Sequence, residues 1–204
     1  MSLKLSCWKD VQATFERHFE HYREHGVGEN ALLGMRAEGA VTLTYAGRVV
    51  YELFQNAVDQ AENRLTLVHF DGKTLTVGND GNGISVDPSY DYQKPRVDGR
   101  SDFHALCALH VSNKNPNVQF GSKGIGFRSV FGISNQVQVW SRCQDGGWWG
   151  LELKEGLIPS QWPGSAISEW DERIRSLGDY PRPSFQFPRP LRLPSGKDPI
   201  DGCD

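Results

Sequence analysis

The sequence predicts an α+β fold, a two-layer sandwich of helices on a sheet and not a doubly wound parallel sheet. Three observations predict it. Helical and strand patterns mix irregularly along the 204 residues. Asp71-Gly72 lies between "LTLVHF" and "KTLTV", and Asp-Gly between two β-rich runs signals an antiparallel hairpin. A second pair of strand patterns, "NQVQVWS" and "WWGLEL", flanks the turn residues Gln144 to Gly147.

Taken in order, residues 8–25 predict a first helix, with Val11, Phe15, Phe19 and Tyr22 on one face and Gly26 as its stop. After a glycine-dotted stretch comes "VVYELFQNAVDQAEN". Its apolar residues Val50, Phe54, Ala57, Val58, Ala61 and Leu65 recur every three or four positions, the spacing of an amphipathic helix. Glu52, Asn56 and Asp59 recur at that spacing too, and all three fall within one narrow stripe. The hairpin follows, and its second strand runs into the glycine loop "GNDGNGI".

"DFHALCALHV", 102–111, predicts a short helix with Ser101 as its N-cap. "SNKNPNVQFGSKGIG" is polar and glycine-rich, the composition of a mobile loop. "FRSVFGI" reads as helical. "SAISEWDERIRSL" reads as a capped helix with Ile167, Trp170 and Ile174 on one side. The tail from 180 carries Pro181, Pro183, Pro188, Pro190, Pro194 and Pro199, and predicts an extended linker. The organisation expected is an N-terminal helix and connecting segment (1–44), a core (45–160), and a helix with a proline-rich tail (161–204) leading into further domains.

Bulk properties narrow the function. A net charge of -3 and a pI near 6.1 give no general pull toward nucleic acid or anionic lipid. Cys7, Cys107, Cys143 and Cys203 are far apart with no CxxC pair, the usage of a reduced, cytoplasmic chain. No apolar run is long enough to cross a bilayer. His18, His21 and His25 share a flank of the first helix, but nothing completes a metal-ligand set, and a solvated face is expected there. Trp148-Trp149 is expected to pack in a core or interface. Arg128 suits a structural role and a phosphate contact equally.

Three segments carry chemistry, in order: Glu52 to Asp59 on a helix, Asn79 to Ile84 after a strand, and Gly121 to Phe127 opening a helix. A helix face with a carboxylate and, one turn on, an amide offers a base for water and an oxygen ligand for a hard cation. Glycines at alternate positions after a strand let backbone approach a flat ligand closely. A glycine loop feeding a helix presents N–H groups to phosphates, and Lys123 adds a point charge. Each piece alone is weak; the three in order describe a site for Mg²⁺ and a nucleoside triphosphate.

These segments resemble the N-box and the two glycine boxes of the GHKL ATPases, the superfamily of gyrase, heat-shock-chaperone and histidine-kinase types. "YAGRVVYELFQNAVD" with "GSKGIGFRSVF" is most similar to its chaperone and sacsin-like branch. The resemblance covers about residues 45 to 153. It implies the Bergerat fold, with helices on one face of a mixed, largely antiparallel sheet and ATP held under a mobile lid. It implies Glu52 as the general base, Asn56 as the Mg²⁺ ligand and Asp59 at the edge of the nucleotide pocket. Asn79, Asp80, Gly81, Gly83 and Ile84 correspond to the first glycine box. Gly121, Lys123, Gly124, Ile125, Gly126 and Phe127 correspond to the second, with Ser112 and Lys114 in the lid as further phosphate contacts.

One position departs from the pattern. Asn79 stands where the family has the Asp that accepts from the adenine amino group. Its amide oxygen can accept, without the charge-assisted bond that is about twice as strong as a neutral one. The function expected is an ATP-binding, Mg²⁺-dependent ATP-hydrolysing domain of a larger chaperone-like or defence-type protein. Its partners would be further domains of the same polypeptide, another protein, and a second copy in a nucleotide-dependent dimer. The rival is a non-hydrolysing nucleotide switch or scaffold. A histidine kinase fits least, because such kinases usually lack a base equivalent to Glu52.

Overall fold

The computed structural model describes residues 6–25, 46–93, 101–107, 126–154 and 188–199. The helix over 165–177 and the loop over 112–123 expected from sequence lie outside them. Helices and two small antiparallel sheets make up the described chain, so the fold is α+β.

Helix α1 spans Trp8–His25, the bounds its periodicity predicts. Cys7 precedes it, and its Sγ accepts the Asp10 N–H at 3.4 Å, a sulfur serving as the cap. The buried face of α1 is Val11, Thr14, Phe15 and His18, the i, i+3, i+4, i+7 pattern of a core-facing stripe. The solvated face expected for His18 is therefore corrected: it continues the apolar face one turn beyond Phe15, and is only 2% exposed.

A 3₁₀ turn over Ala46–Arg48 leads into helix α2, Val49–Gln60. Its face is rotated from the one its apolar periodicity suggests. Val49 and Ala57 are buried and Leu53 packs against the core, whereas Val50, Phe54 and Val58 are about half exposed. Two adjacent apolar rows compete on this helix, and the row one residue earlier wins. The rotation brings Asn56 and Glu52 to the flank of the buried face.

The hairpin forms as expected. Strand β1, Thr66–Phe70, pairs antiparallel with β2, Leu75–Asn79, with Val68 opposite Val77. Its loop is held by Asp71, whose Oδ1 accepts the N–H groups of Lys73 at 2.7 Å and Thr74 at 2.6 Å. Gly72 supplies the left-handed turn residue at φ 99°. Helix α3, Asp102–Cys107, starts where Ser101 Oγ accepts the His104 N–H.

Gly126–Gly132, expected as α-helix, forms a 3₁₀ turn. Beyond it lies the second sheet, in the order β3 (Gln136–Arg142), β4 (Trp148–Lys154), β5 (Arg189–Leu193), all antiparallel. Strand β5 comes from the proline-rich tail expected as a linker. Pro190 fits because β5 is an edge strand of this sheet, where a missing N–H need not break a ladder.

Trp149, Leu151 and Leu153 alternate along β4 and share one face. They form one core with Val11 and Phe15 of α1, Val49 of α2, and Phe103 and Cys107 of α3. Each such side chain contributes about 1.5–3 kcal/mol when fully buried. Ile84, which follows β2, meets the second sheet through a side chain: its N–H donates to Ser141 Oγ of β3 at 2.9 Å, and Ser6 Oγ donates to its carbonyl at 3.2 Å. Those bonds set the chain after β2 against the large sheet.

Candidate functional site

Helix α2 packs against β2 and against the turn Gly126–Gly132. The helix bearing Glu52, Asn56 and Asp59, the strand that leads into the glycine loop and the turn Gly126–Gly132 are thus neighbours. Glu52, Asn56 and Asp59 are all half-buried, the expected outcome neither of a fully solvated face nor of a core. The Glu52 side chain is 13% exposed, and Arg48 Nη2 stands 3.9 Å from its Oε1, one helical turn away.

Helix α2 and the loop after β2 approach each other closely. A Cβ on Gly81 would collide with the Gln60 carbonyl oxygen at the C-terminal end of α2. Only glycine allows the loop to lie on the helix end in this way. Gly83 takes φ 75°, the second place in the loop where a side chain would be strained.

Two polar side chains hold the loop. Asn79 Oδ1 accepts the Gly81 N–H at 2.9 Å, a turn closed by its own side chain. Asp80 reaches the other way and accepts from the Glu62 N–H at 3.1 Å, the Asn63 N–H at 3.0 Å and Asn63 Nδ2 at 2.9 Å. Partial desolvation pushes the Asp80 carboxyl up. The donors of Asn63, side chain then backbone, outweigh it and leave the group below the ordinary carboxylate range. Sequence reasoning placed Asp80 at the nucleotide; the structure turns its carboxylate onto the chain leaving α2.

Ile84 packs against the core, and Phe127 does the same from the 3₁₀ turn. Arg128 is 4% exposed, and its Nη2 donates to the Leu106 carbonyl at 2.8 Å, which ties the turn to the end of α3. Of its two expected roles, the structural one is visible. Gly126 opens the 3₁₀ turn, while Ser112, Lys114, Gly121, Lys123, Gly124 and Ile125 lie outside the described residues.

Among the described residues no group of three or more His, Cys, Asp and Glu side chains is placed to hold a metal ion. No helix among them is long and apolar enough to cross a membrane. Compared with protein-family models, curated proteins and solved structures, the chain matches none.

Proposed function

We propose that this chain is an ATP-binding domain of the Bergerat type, an Mg²⁺-dependent ATPase module of a larger chaperone-like or defence-type protein. The observation that carries the reading is the contact of the Gln60 end of α2 with Gly81. The helix bearing Glu52, Asn56 and Asp59 and the glycine loop after β2 meet where backbone alone can fit, and the turn from Gly126 packs on the same helix.

The donor set fits magnesium with a triphosphate. Mg²⁺ takes one or two protein oxygens and fills its shell with water and phosphate, and Asn56 supplies an amide oxygen on the flank of α2. When bound, the ion neutralises phosphate charge during transfer. Asn56 would hold the ion, the backbone amides that the resemblance assigns to Gly121–Gly126 would hold the phosphates, and Glu52 would accept the proton of the attacking water. Nucleotide state would pass to neighbouring domains, a partner protein or a second copy, the role the resemblance gives to the segment 112–123, which lies outside the described residues.

A second reading is a non-hydrolysing switch, and one observation favours it. Arg48 Nη2 stands 3.9 Å from Glu52 Oε1, so the carboxylate that would meet the attacking water already faces a cation on its own helix. Phosphate release by the whole chain, measured beside ATP binding, separates the two. Turnover that falls at least 100-fold in Glu52→Ala with binding retained supports the ATPase. Binding with no turnover in the parent supports the switch. A Glu52→Ala protein as active as the parent removes Glu52 from the role of base.

A further inference from the structure

Strand β1 has one edge engaged and one edge open. At the two ends of the hairpin, the Asp80 N–H donates to the Leu65 carbonyl and the Asp71 N–H to the Thr74 carbonyl, both at 3.3 Å. Hydrogen-bonded positions alternate along an antiparallel pair, and the register sets Thr66 opposite Asn79. Leu65, Leu67, His69 and Asp71 therefore turn their backbone groups toward β2, while Thr66, Val68 and Phe70 turn theirs away from it. Among the described residues no strand pairs on that outer side, since β1 and β2 form a sheet of two.

The open edge lacks the usual protection. Residues 65–70 contain no proline, lysine or acidic residue, the types that keep edge strands from joining. Apolar side chains stand out on both faces of the strand: Leu67 is 46%, Val68 51% and Phe70 64% exposed.

From this alternation we propose that β1 is a self-pairing edge, along which two copies of this chain join as antiparallel strands about a two-fold axis at Val68. That register engages every outward residue of both strands. Val68 meets Val68 of the second copy and Thr66 meets its Phe70, each pair exchanging two main-chain hydrogen bonds. Val68 packs on Val68 and Phe70 on Thr66 on one face, and Leu67 on His69 on the other. Charge is complementary at both rims, where Arg64 of one copy comes opposite Gly72 and beside Asp71 of the other. Two hairpins become one four-stranded sheet, past the two strands that are marginal alone in water. A five-residue strand buries less than the roughly 800 Å² per partner of a standard interface. The dimer is therefore reversible, and monomer and dimer exchange between about 10 µM and 1 mM protein. No nucleotide is needed for this pairing.

Sedimentation equilibrium of the full chain across that range, without nucleotide, tests it. The parent is expected to pass from monomer to dimer. Val68→Lys sets two like charges opposite each other at the two-fold axis, and is expected to weaken association about tenfold or more. Val58→Lys removes an exposed apolar side chain of α2 instead, and is expected to leave association unchanged; thermal melts check that both variants fold. Amide exchange in the parent gives a second reading that needs no variant. The N–H groups of Thr66, Val68 and Phe70 are expected to slow as protein concentration rises, while those of Leu67 and His69 are slow throughout. A parent that stays monomeric at the top of the range leaves the edge to a strand of some other protein and overturns the inference. Equal weakening by Val58→Lys, or association with no slowing at Val68, overturns it as well.

Discussion

His18 Nδ1 lies 2.8 Å from the Tyr92 hydroxyl, and the same hydroxyl lies 3.1 Å from His104 Nε2. His104 Nδ1 in turn stands 2.6 Å from Ser101 Oγ. Four side chains thus form one hydrogen-bonded chain from α1 through the 85–93 segment to α3. His21 stacks on Tyr92 at 4.4 Å and Tyr90 on His104 at 4.0 Å, which closes the sides of the cluster. Arg17 adds a bond from Nε to the Tyr90 carbonyl at 2.9 Å. The phenol has one proton, so it can donate to only one of the two imidazoles and at least one imidazole donates to it, which limits the tautomers the two histidines can take together.

Tyr92→Phe takes the hydroxyl from both imidazoles while keeping the ring contacts. The expected cost is about 1–3 kcal/mol of unfolding free energy, the penalty for buried polar groups that lose a partner. His21→Ala removes the ring stacked on Tyr92 and is expected to cost about 0.5–1.5 kcal/mol. Urea unfolding of the two variants measures the difference. Equal, negligible effects would mean that the chain does not fasten α1 to the rest.

Asp80 makes stability depend on acid. Its carboxyl lies below the ordinary range, because the Asn63 donors outweigh partial desolvation, and Asp71 lies below it through the N–H groups of Thr74 and Lys73. The native state therefore binds fewer protons than the unfolded chain near and below pH 4. The stability these groups contribute is complete above that pH and is lost as pH falls through it. Asp80→Ala is expected to make the acid limb shallower between about pH 5 and 2 while Asp71 keeps its own contribution. Thermal melts across that range measure it, and an unchanged limb would separate Asp80 from acid stability.

Glu152 is a buried carboxylate on β4. Arg189 of β5 holds its Oε2 at 2.9 Å and Gln136 of β3 donates Nε2 to its Oε1 at 2.7 Å, so one carboxylate fastens all three strands. The Arg189 side chain is half exposed, which lowers the worth of the pair below that of a fully buried one. Arg189→Ala is expected to cost about 1–3 kcal/mol, because it leaves Glu152 with Gln136 alone. Adding Glu152→Gln to that variant removes the uncompensated charge and is expected to recover part of the loss. Denaturant titration of the single and double variants reads the coupling. Additive effects would mean that the pair does not fasten β5 to the sheet.

What the sequence revealed, and what it hid, follows from this sheet and from α2. The bounds of α1, the hairpin at Asp71-Gly72 and the β3–β4 pair were legible because each repeats a single period and ends on a strong turn residue. Strand β5 was not, since Pro188, Pro190 and Pro194 suppress a strand reading, and only its place at an edge tolerates them. The face of α2 was hidden because Val49, Leu53 and Ala57 run beside Val50, Phe54 and Val58. Packing, not periodicity, chooses between two such rows. At the candidate site, the close backbone approach at Gly81 was legible from the glycines after β2, but the directions of Asn79 and Asp80 depend on N–H groups that a sequence does not locate. His18 carries its signal in the sequence, the seven-residue spacing from Val11 that continues the apolar face.

Gly81 links that loop to α2, and it is the residue whose replacement most directly tests whether their contact makes a site. Its backbone is not in the left-handed region, so alanine there is opposed by contact alone: the Gln60 carbonyl oxygen, then Asn79 Oδ1 at 2.8 Å. Neither the helix backbone nor the turn it abuts yields cheaply. Gly81→Ala is expected to cost about 1–3 kcal/mol through forced backbone shifts, and to weaken Mg·ATP binding by moving the loop off the helix. Gly72→Ala is the matched control. It has open space around it but φ 99°, so its cost is backbone strain of about 1–3 kcal/mol, far from the helix stripe. Under conditions where both variants remain folded, only Gly81→Ala is expected to lose nucleotide affinity. Equal losses in the two would trace the effect to stability, and no loss in either would break the tie between this contact and nucleotide binding.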